Sequence, residues 1–83
     1  MTTREAVDAM VKVMAPFIGD TMARSATEAN CQKLGIAGTM SRDQMEALLA
    51  KIGGGLNIFL GRDKAASVIA EMRGALAALE GSR

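Results

Sequence analysis

Cys31 is the side chain of this sequence best suited to covalent chemistry. A cysteine acts as a nucleophile when a neighbouring cation or base lowers the pKa of its thiol. The sequence contains no histidine, and the nearest cation, Lys33, would point elsewhere on a helix. We therefore interpret Cys31 as a small apolar residue at a helix boundary rather than as a catalytic group.

The lack of histidine and the single cysteine exclude several other kinds of chemistry. Without imidazole there is no histidine base, no histidine metal ligand and no phosphotransfer histidine. One cysteine forms neither an intramolecular disulfide nor a cysteine-rich zinc site. No pair of carboxylates marks a hydrolytic site. We expect no catalytic residues, no bound metal and no cofactor, so the protein is predicted not to be an enzyme.

The chain contains three consecutive glycines, Gly53-Gly54-Gly55, and runs of glycine also occur in phosphate-binding loops. A Walker loop needs lysine and a hydroxyl residue after its glycines, and Leu56-Asn57 follow here. Two structural interpretations remain: the glycines end the third helix, or the helix runs through them. A continuous helix would cost about 3 kcal/mol relative to alanines and leave a bare backbone surface. We favour the break, because Pro16 interrupts the matching place in the first half of the chain.

Length, charge and hydropathy predict one small domain that stays in the cytoplasm. The chain has 83 residues, of which 49% are hydrophobic, and ten basic residues face nine acidic ones. The charged N-terminal residues do not form a signal peptide, and the longest uncharged run is too short to span a bilayer. A single unpaired cysteine fits a reducing compartment. The two signs of charge are interspersed, which is typical of a solvated surface and not of a nucleic-acid stripe.

Apolar residues recur at helical spacing and predict four helices. The first begins with Thr3 as N-cap and kinks or stops near Ala15, because the proline that follows disfavours the helix. The second runs from Asp20, as N-cap, to about residue 34. The third opens with a capping box formed by Ser41 and Gln44. The fourth begins near residue 63. No segment alternates like a half-buried strand.

These helices predict an all-α fold, a four-helix bundle made of two αα-hairpins. The first hairpin covers about residues 3–35, the connector residues 36–40, and the second hairpin about residues 41–80. The whole chain of 83 residues is then a single helical domain.

The two hairpins resemble each other at an offset of 42 residues, which favours an internal duplication over coincidence. The offset aligns Phe17 and Gly19 with Phe59 and Gly61. We interpret these four residues as two structural corners, in which each phenylalanine seals the end of the core. On that interpretation Phe59→Ala should cost about 3–5 kcal/mol.

The inward stripe of the second helix is small and partly polar, which makes it a candidate partner interface. It consists of Ala23, Ala26, Thr27, Asn30, Cys31 and Leu34. Thr27 and Asn30 are the unexpected members, because a buried polar group without a partner costs about 1–3 kcal/mol. Either they are hydrogen-bonded within the chain or lie on a wet edge, or this face meets a partner.

Together these features predict a small protein–protein interaction module that is not an enzyme, regulates or scaffolds a protein partner, and forms a homodimer. Association would help a core this small. The alternative is a small nucleic-acid-associated regulator, with the cations Arg24, Lys33, Arg62, Lys64 and Arg73 as its contacts.

Overall fold

The computed structural model describes residues 1–81, which form a bundle of four α-helices. The helices are α1 (Thr3–Ile18), α2 (Asp20–Lys33), α3 (Arg42–Leu60) and α4 (Arg62–Gly81). Consecutive helices pack against each other, and α4 closes the ring against α1. The predicted all-α four-helix bundle is confirmed. Within the described residues, the β-type pairing is one isolated bridge between Thr2 and Thr39.

Side-chain caps begin α1 and α3. The predicted capping box of α3 is confirmed: the N–H of Gln44 donates to Ser41 Oγ at 3.2 Å, and the N–H of Ser41 donates to Gln44 Oε1 at 2.9 Å. The cap of α1 lies one residue earlier than predicted. Thr2, and not Thr3, accepts the N–H of Glu5 at 3.2 Å, and Thr3 is the first residue of the helix.

Pro16 lies inside α1, so of the two predicted outcomes, a kink or a stop near Ala15, the stop is wrong. Proline has no N–H, and the helix therefore loses one hydrogen bond at this position. The loss falls in the last turn, since α1 ends two residues later at Ile18. There the N–H of Gly19 donates to the carbonyl of Ala15 at 2.9 Å and closes the helix.

The helix α3 continues through Gly53-Gly54-Gly55, so the favoured break is also wrong. Ile52 and Leu56, on either side of the glycines, are 5% and 4% exposed and face the core. Burial of two such side chains contributes about 3–6 kcal/mol, and three glycines cost a helix about 3 kcal/mol. Packing against the rest of the bundle therefore outweighs the weak helix preference of glycine.

Single glycines turn the chain at one end of the bundle, between α1 and α2 and between α3 and α4. Gly19 has φ +88° and ψ 151°, and Gly61 has φ +87° and ψ 160°. Each carbonyl accepts the N–H four residues ahead at 3.0 Å, from Ala23 and from Ala65. Asp20 is consequently the first residue of α2 and not its cap. The two corners have equivalent geometry at the 42-residue offset seen in the sequence.

One apolar core joins the four helices and the connector between α2 and α3. Its buried members are Ala6, Val7, Met10, Val11, Met14, Ala23, Cys31, Ile36, Met40, Met45, Leu48, Leu49, Ile52, Leu56, Ala65, Val68, Met72 and Leu76. The connector is held by the N-terminus, because the N–H of Met40 donates to the carbonyl of Met1 at 3.1 Å. This bond and the neighbouring bridge fix the end of the bundle opposite the glycine corners.

Candidate interaction surface

Half of the residues in the predicted partner interface on α2, which we call the α2 stripe, are buried in the core of the chain. The buried residues, at most 5% exposed, are Ala23, Thr27 and Cys31. The half-buried residues are Ala26, Asn30 and Leu34. Because α2 contributes no large apolar side chain to its inner face, its small residues complete the core there. The three buried residues are not accessible to a partner.

The two polar residues of this stripe are hydrogen-bonded within their own helix. The hydroxyl of Thr27 donates to the carbonyl of Ala23 at 2.7 Å. The side-chain amide of Asn30 donates to the carbonyl of Ala26 at 2.9 Å. The interpretation as a satisfied polar pair is therefore the one that the structure supports.

Thr27→Val is expected to change the free energy of unfolding by less than about 1 kcal/mol. The substitution preserves the shape of the side chain, and the carbonyl of Ala23 keeps its helical N–H partner. Thr27→Ser is the matched control: it keeps the hydroxyl, loses a buried methyl group and should cost about 1 kcal/mol. Urea unfolding of both variants measures the difference. A larger loss in Thr27→Val than in Thr27→Ser would show that the hydroxyl has a further role.

Cys31 has the environment of an unreactive thiol. Its side chain is 5% exposed, and it forms no disulfide. Burial, and to a lesser degree the carboxylate of Glu28, raises the pKa of the Cys31 thiol above its usual value. The nucleophilic thiolate is therefore disfavoured at neutral pH, in agreement with Cys31 as a small apolar residue.

Three large apolar side chains are exposed at the end of the bundle that carries the glycine corners. The exposed fractions are 48% for Met22, 91% for Ile58 and 59% for Phe59. Met22 lies in the first turn of α2, and the other two lie in the last turn of α3. We call these three residues the apolar patch. Met22 and Phe59 line the same groove, and Ile58 is the chain neighbour of Phe59. Exposed large apolar side chains at one end of a bundle are a feature of interaction surfaces.

Phe59 does not seal the core, so that prediction is wrong for one of the two phenylalanines. Phe59 continues the inner stripe of α3, but the facing residues of α2, which are Met22, Ala26 and Asn30, do not close over it. The helices therefore leave an open groove of about 280 Å³, and Phe59 lies at its rim. Phe17 is half-buried against the core, with the ammonium of Lys64 at 5.5 Å from the centre of its ring.

The candidate interaction surface has a second part, which is the side of α3 that faces away from the bundle. Its exposed residues recur at spacings of three and four: Asp43, Ala47, Lys51, Gly54 and Ile58. We call this set the outer face of α3. A Cβ atom added at Gly54 or Gly55 would meet no atom within 4 Å. Nothing in the fold of the single chain therefore requires glycine at these two positions.

The five cations of the nucleic-acid alternative do not form one surface. Arg24 and Arg73 each pair with a carboxylate of a neighbouring helix. In the second pair, the hydrogen bond from Arg73 lowers the pKa of the Glu46 carboxyl. Lys33 ends α2, at the end of the bundle opposite Arg62 and Lys64. This distribution adds no support to nucleic-acid binding.

The surface was only partly foreseen from the sequence. The sequence pattern marks neither Ile58 nor Met22 as an interface residue, and it predicts Phe59 inside the core. One signal was present: residues 56–60 hold four apolar side chains in five positions, more than one face of a helix can bury. With α3 continuous, Ile58 falls on the side opposite Leu56.

The described part of the chain holds no helix with the length and apolar character needed to cross a bilayer. Within residues 1–81, no three side chains of the types that commonly bind metals lie close enough to share an ion. No protein-family model, curated protein or solved structure matches the chain. The fold and surface define an all-α bundle with an exposed apolar end.

Proposed function

We propose that the chain is a non-enzymatic protein–protein interaction module of the cytoplasm, which regulates or scaffolds by associating with itself through the surface around α3. The observation that carries the proposal is the apolar patch formed by Met22, Ile58 and Phe59. Two of these residues are more than half exposed, at 59% and 91%, and they are adjacent in the chain. Covering them would remove apolar surface from water in both copies of a dimer.

The small size of the domain also favours self-association. A chain of this length buries only about 60–65% of the surface of its unfolded form, so its core contributes little surplus stability. Association of identical chains is a common way for a small domain to gain stability. The apolar patch lies on the ordered ends of two helices, so little conformational entropy is lost when it is covered.

Sedimentation equilibrium of the intact chain between about 1 and 100 μM tests the proposal. We expect the mass to rise towards that of a dimer. Ile58→Ser should raise the dimer dissociation constant at least about tenfold, because each copy loses an apolar contact. Ala77→Ser, a substitution at an exposed position of α4, is the control and should change the constant by less than about twofold. A monomer at every concentration would contradict self-association.

A further inference from the structure

We propose that two copies dock antiparallel, with the outer face of α3 in one copy against the outer face of α3 in the other. The inference rests on the proposed function and specifies its surface and register: of the apolar patch, the proposed interface covers Ile58, which belongs to the outer face of α3. A twofold axis would pass beside α3, level with the boundary between Ile52 and Gly53. In such a pair one surface serves both copies, so each contact occurs twice and the assembly closes as a dimer.

Gly54 is the first reason for this docking. Glycine is unfavourable in a helix interior, yet Gly54 stands on the outer face in the second half of α3 and is exposed. The free space around this position shows that packing within the chain does not demand glycine there. A bare backbone does allow a second helix to approach closely at that point. Docking of α3 on α3 therefore accounts for a feature that the fold of one chain leaves unexplained.

The shape of the outer face is the second reason. Ile58 is 91% exposed and projects from the last turn of α3. In an antiparallel pair about the proposed axis, Ile58 lies opposite Ala47 of the second copy, so a large side chain meets a small one. Lys51 lies opposite Gly54 of the second copy, where its apolar stem covers the bare backbone and its ammonium reaches solvent.

Charge complementarity is the third reason for this docking. It favours a second copy of the chain as the partner of α3, and it favours this register. Asp43 lies in the first turn of α3, and Arg62 lies just beyond its end, at the first residue of α4. Because the chain turns at Gly61, Arg62 stays close to the end of α3, and the register described above brings it near Asp43 of the second copy, twice in each dimer. Within residues 1–81, neither side chain joins an ion pair of its own chain. A parallel pair would instead bring like charges together.

Both charges lie on the same flank of the outer face. Arg62 lines the groove between α3 and α4 together with Glu46. Asp43 precedes Glu46 by one helical turn, so it lies towards the same side. A twofold axis that relates two side-by-side antiparallel helices brings like flanks together. The two charged side chains therefore meet across the interface and do not pass on opposite sides of it.

Charge reversal at both positions tests the register on the intact chain. Asp43→Arg and Arg62→Asp each create two like-charge contacts, and each should raise the dimer dissociation constant about tenfold at low ionic strength. The variant with both substitutions restores opposite charges in reversed order. Its constant should return to within about threefold of the original. Sedimentation equilibrium measures the constants, and far-UV circular dichroism checks that each variant is folded.

Two further variants separate the interface from general effects of charge and helix stability. Glu71→Arg makes the same change of charge on an exposed part of α4 and should leave the constant within about twofold. Gly54→Leu improves the helix preference at its position but fills the space of the second helix. It should keep the monomer folded and weaken the dimer at least about tenfold.

The outcomes distinguish this docking from the proposed function. A dimer that Ile58→Ser weakens, but in which the double charge reversal restores nothing, would overturn the register and leave the proposed function in place. A chain that stays monomeric at every concentration would overturn both. Recovery in the double variant, together with an unchanged Glu71→Arg dimer, is the result that supports antiparallel docking through α3.

Discussion

Replacing Leu48 with alanine is expected to lower the free energy of unfolding by about 3 kcal/mol. Leu48 is 0% exposed and lies on the inner face of α3. The substitution removes buried apolar surface and leaves a cavity that the surrounding helices fill only in part. A domain of this kind has a total stability of about 5–10 kcal/mol, so the loss is a large fraction of it. Urea unfolding followed by circular dichroism measures the change.

Phe59→Ala is the informative comparison, because it removes a larger side chain. Phe59 is 59% exposed, and we expect a loss of only about 1 kcal/mol in the monomer. Both measurements should be made at a concentration where the chain is monomeric, so that dissociation does not add to unfolding. A loss for Phe59→Ala as large as that for Leu48→Ala would contradict the position of Phe59 at the rim of the groove.

Replacing Gly61 with alanine is expected to lower the free energy of unfolding by about 2 kcal/mol. Its φ of +87° and ψ of 160° lie in a region of backbone conformation that essentially only glycine adopts. A Cβ atom at this position would meet no atom within 4 Å, so the expected loss is backbone strain and not a steric clash. Thermal unfolding and urea unfolding both report it.

Gly54→Ala is the matched control for the corner variant, since Gly54 is also exposed and also has free space around its Cα atom. It lies inside α3, where alanine is preferred, and should raise the stability of the monomer by about 0.5–1 kcal/mol. Gly19→Ala should behave like Gly61→Ala because the two corners have equivalent geometry. A neutral Gly61→Ala variant would contradict the corner conformation.

The fold was predictable from sequence because its main signals are local and periodic. Apolar spacing predicted four helices, and Ser41 and Gln44 predicted the start of α3, where both bonds of the capping box are present. The two glycine corners followed from the repeated phenylalanine–aliphatic–glycine pattern. Capping and turn chemistry act over a few residues, so a short stretch of sequence specifies them.

The errors have a common physical cause, which is packing between elements distant in sequence. Preferences of single residues predicted a kink or a stop near Pro16 and favoured a break at the glycines of α3, but burial on either side keeps both helices continuous. Spacing alone also placed Phe59 inside the core. Whether a neighbouring helix covers a side chain depends on the residues that face it, here Met22, Ala26 and Asn30 of α2, and no local pattern of α3 contains that information.

The position of the interface depended on those same errors. A helix that broke at Gly53 would have no outer face from Asp43 to Ile58, and the small, partly polar inner stripe of α2 was the predicted interface. Once α3 is continuous, five of its exposed residues align along one side, and Ile58 and Gly54 fall on that side. The inference of docking through α3 therefore required the structure.

Crosslinking between two copies at a single cysteine tests docking through α3 most directly. In a Cys31→Ala background, Lys51→Cys places one thiol beside the proposed axis, and Ser67→Cys places one on the exposed side of α4. The Cα atoms at position 51 of the two copies would lie about 10 Å apart, within reach of a short bismaleimide. We predict covalent dimers from Lys51→Cys and none from Ser67→Cys. Equal yields from the two variants, or dimers through position 67 alone, would contradict the docking.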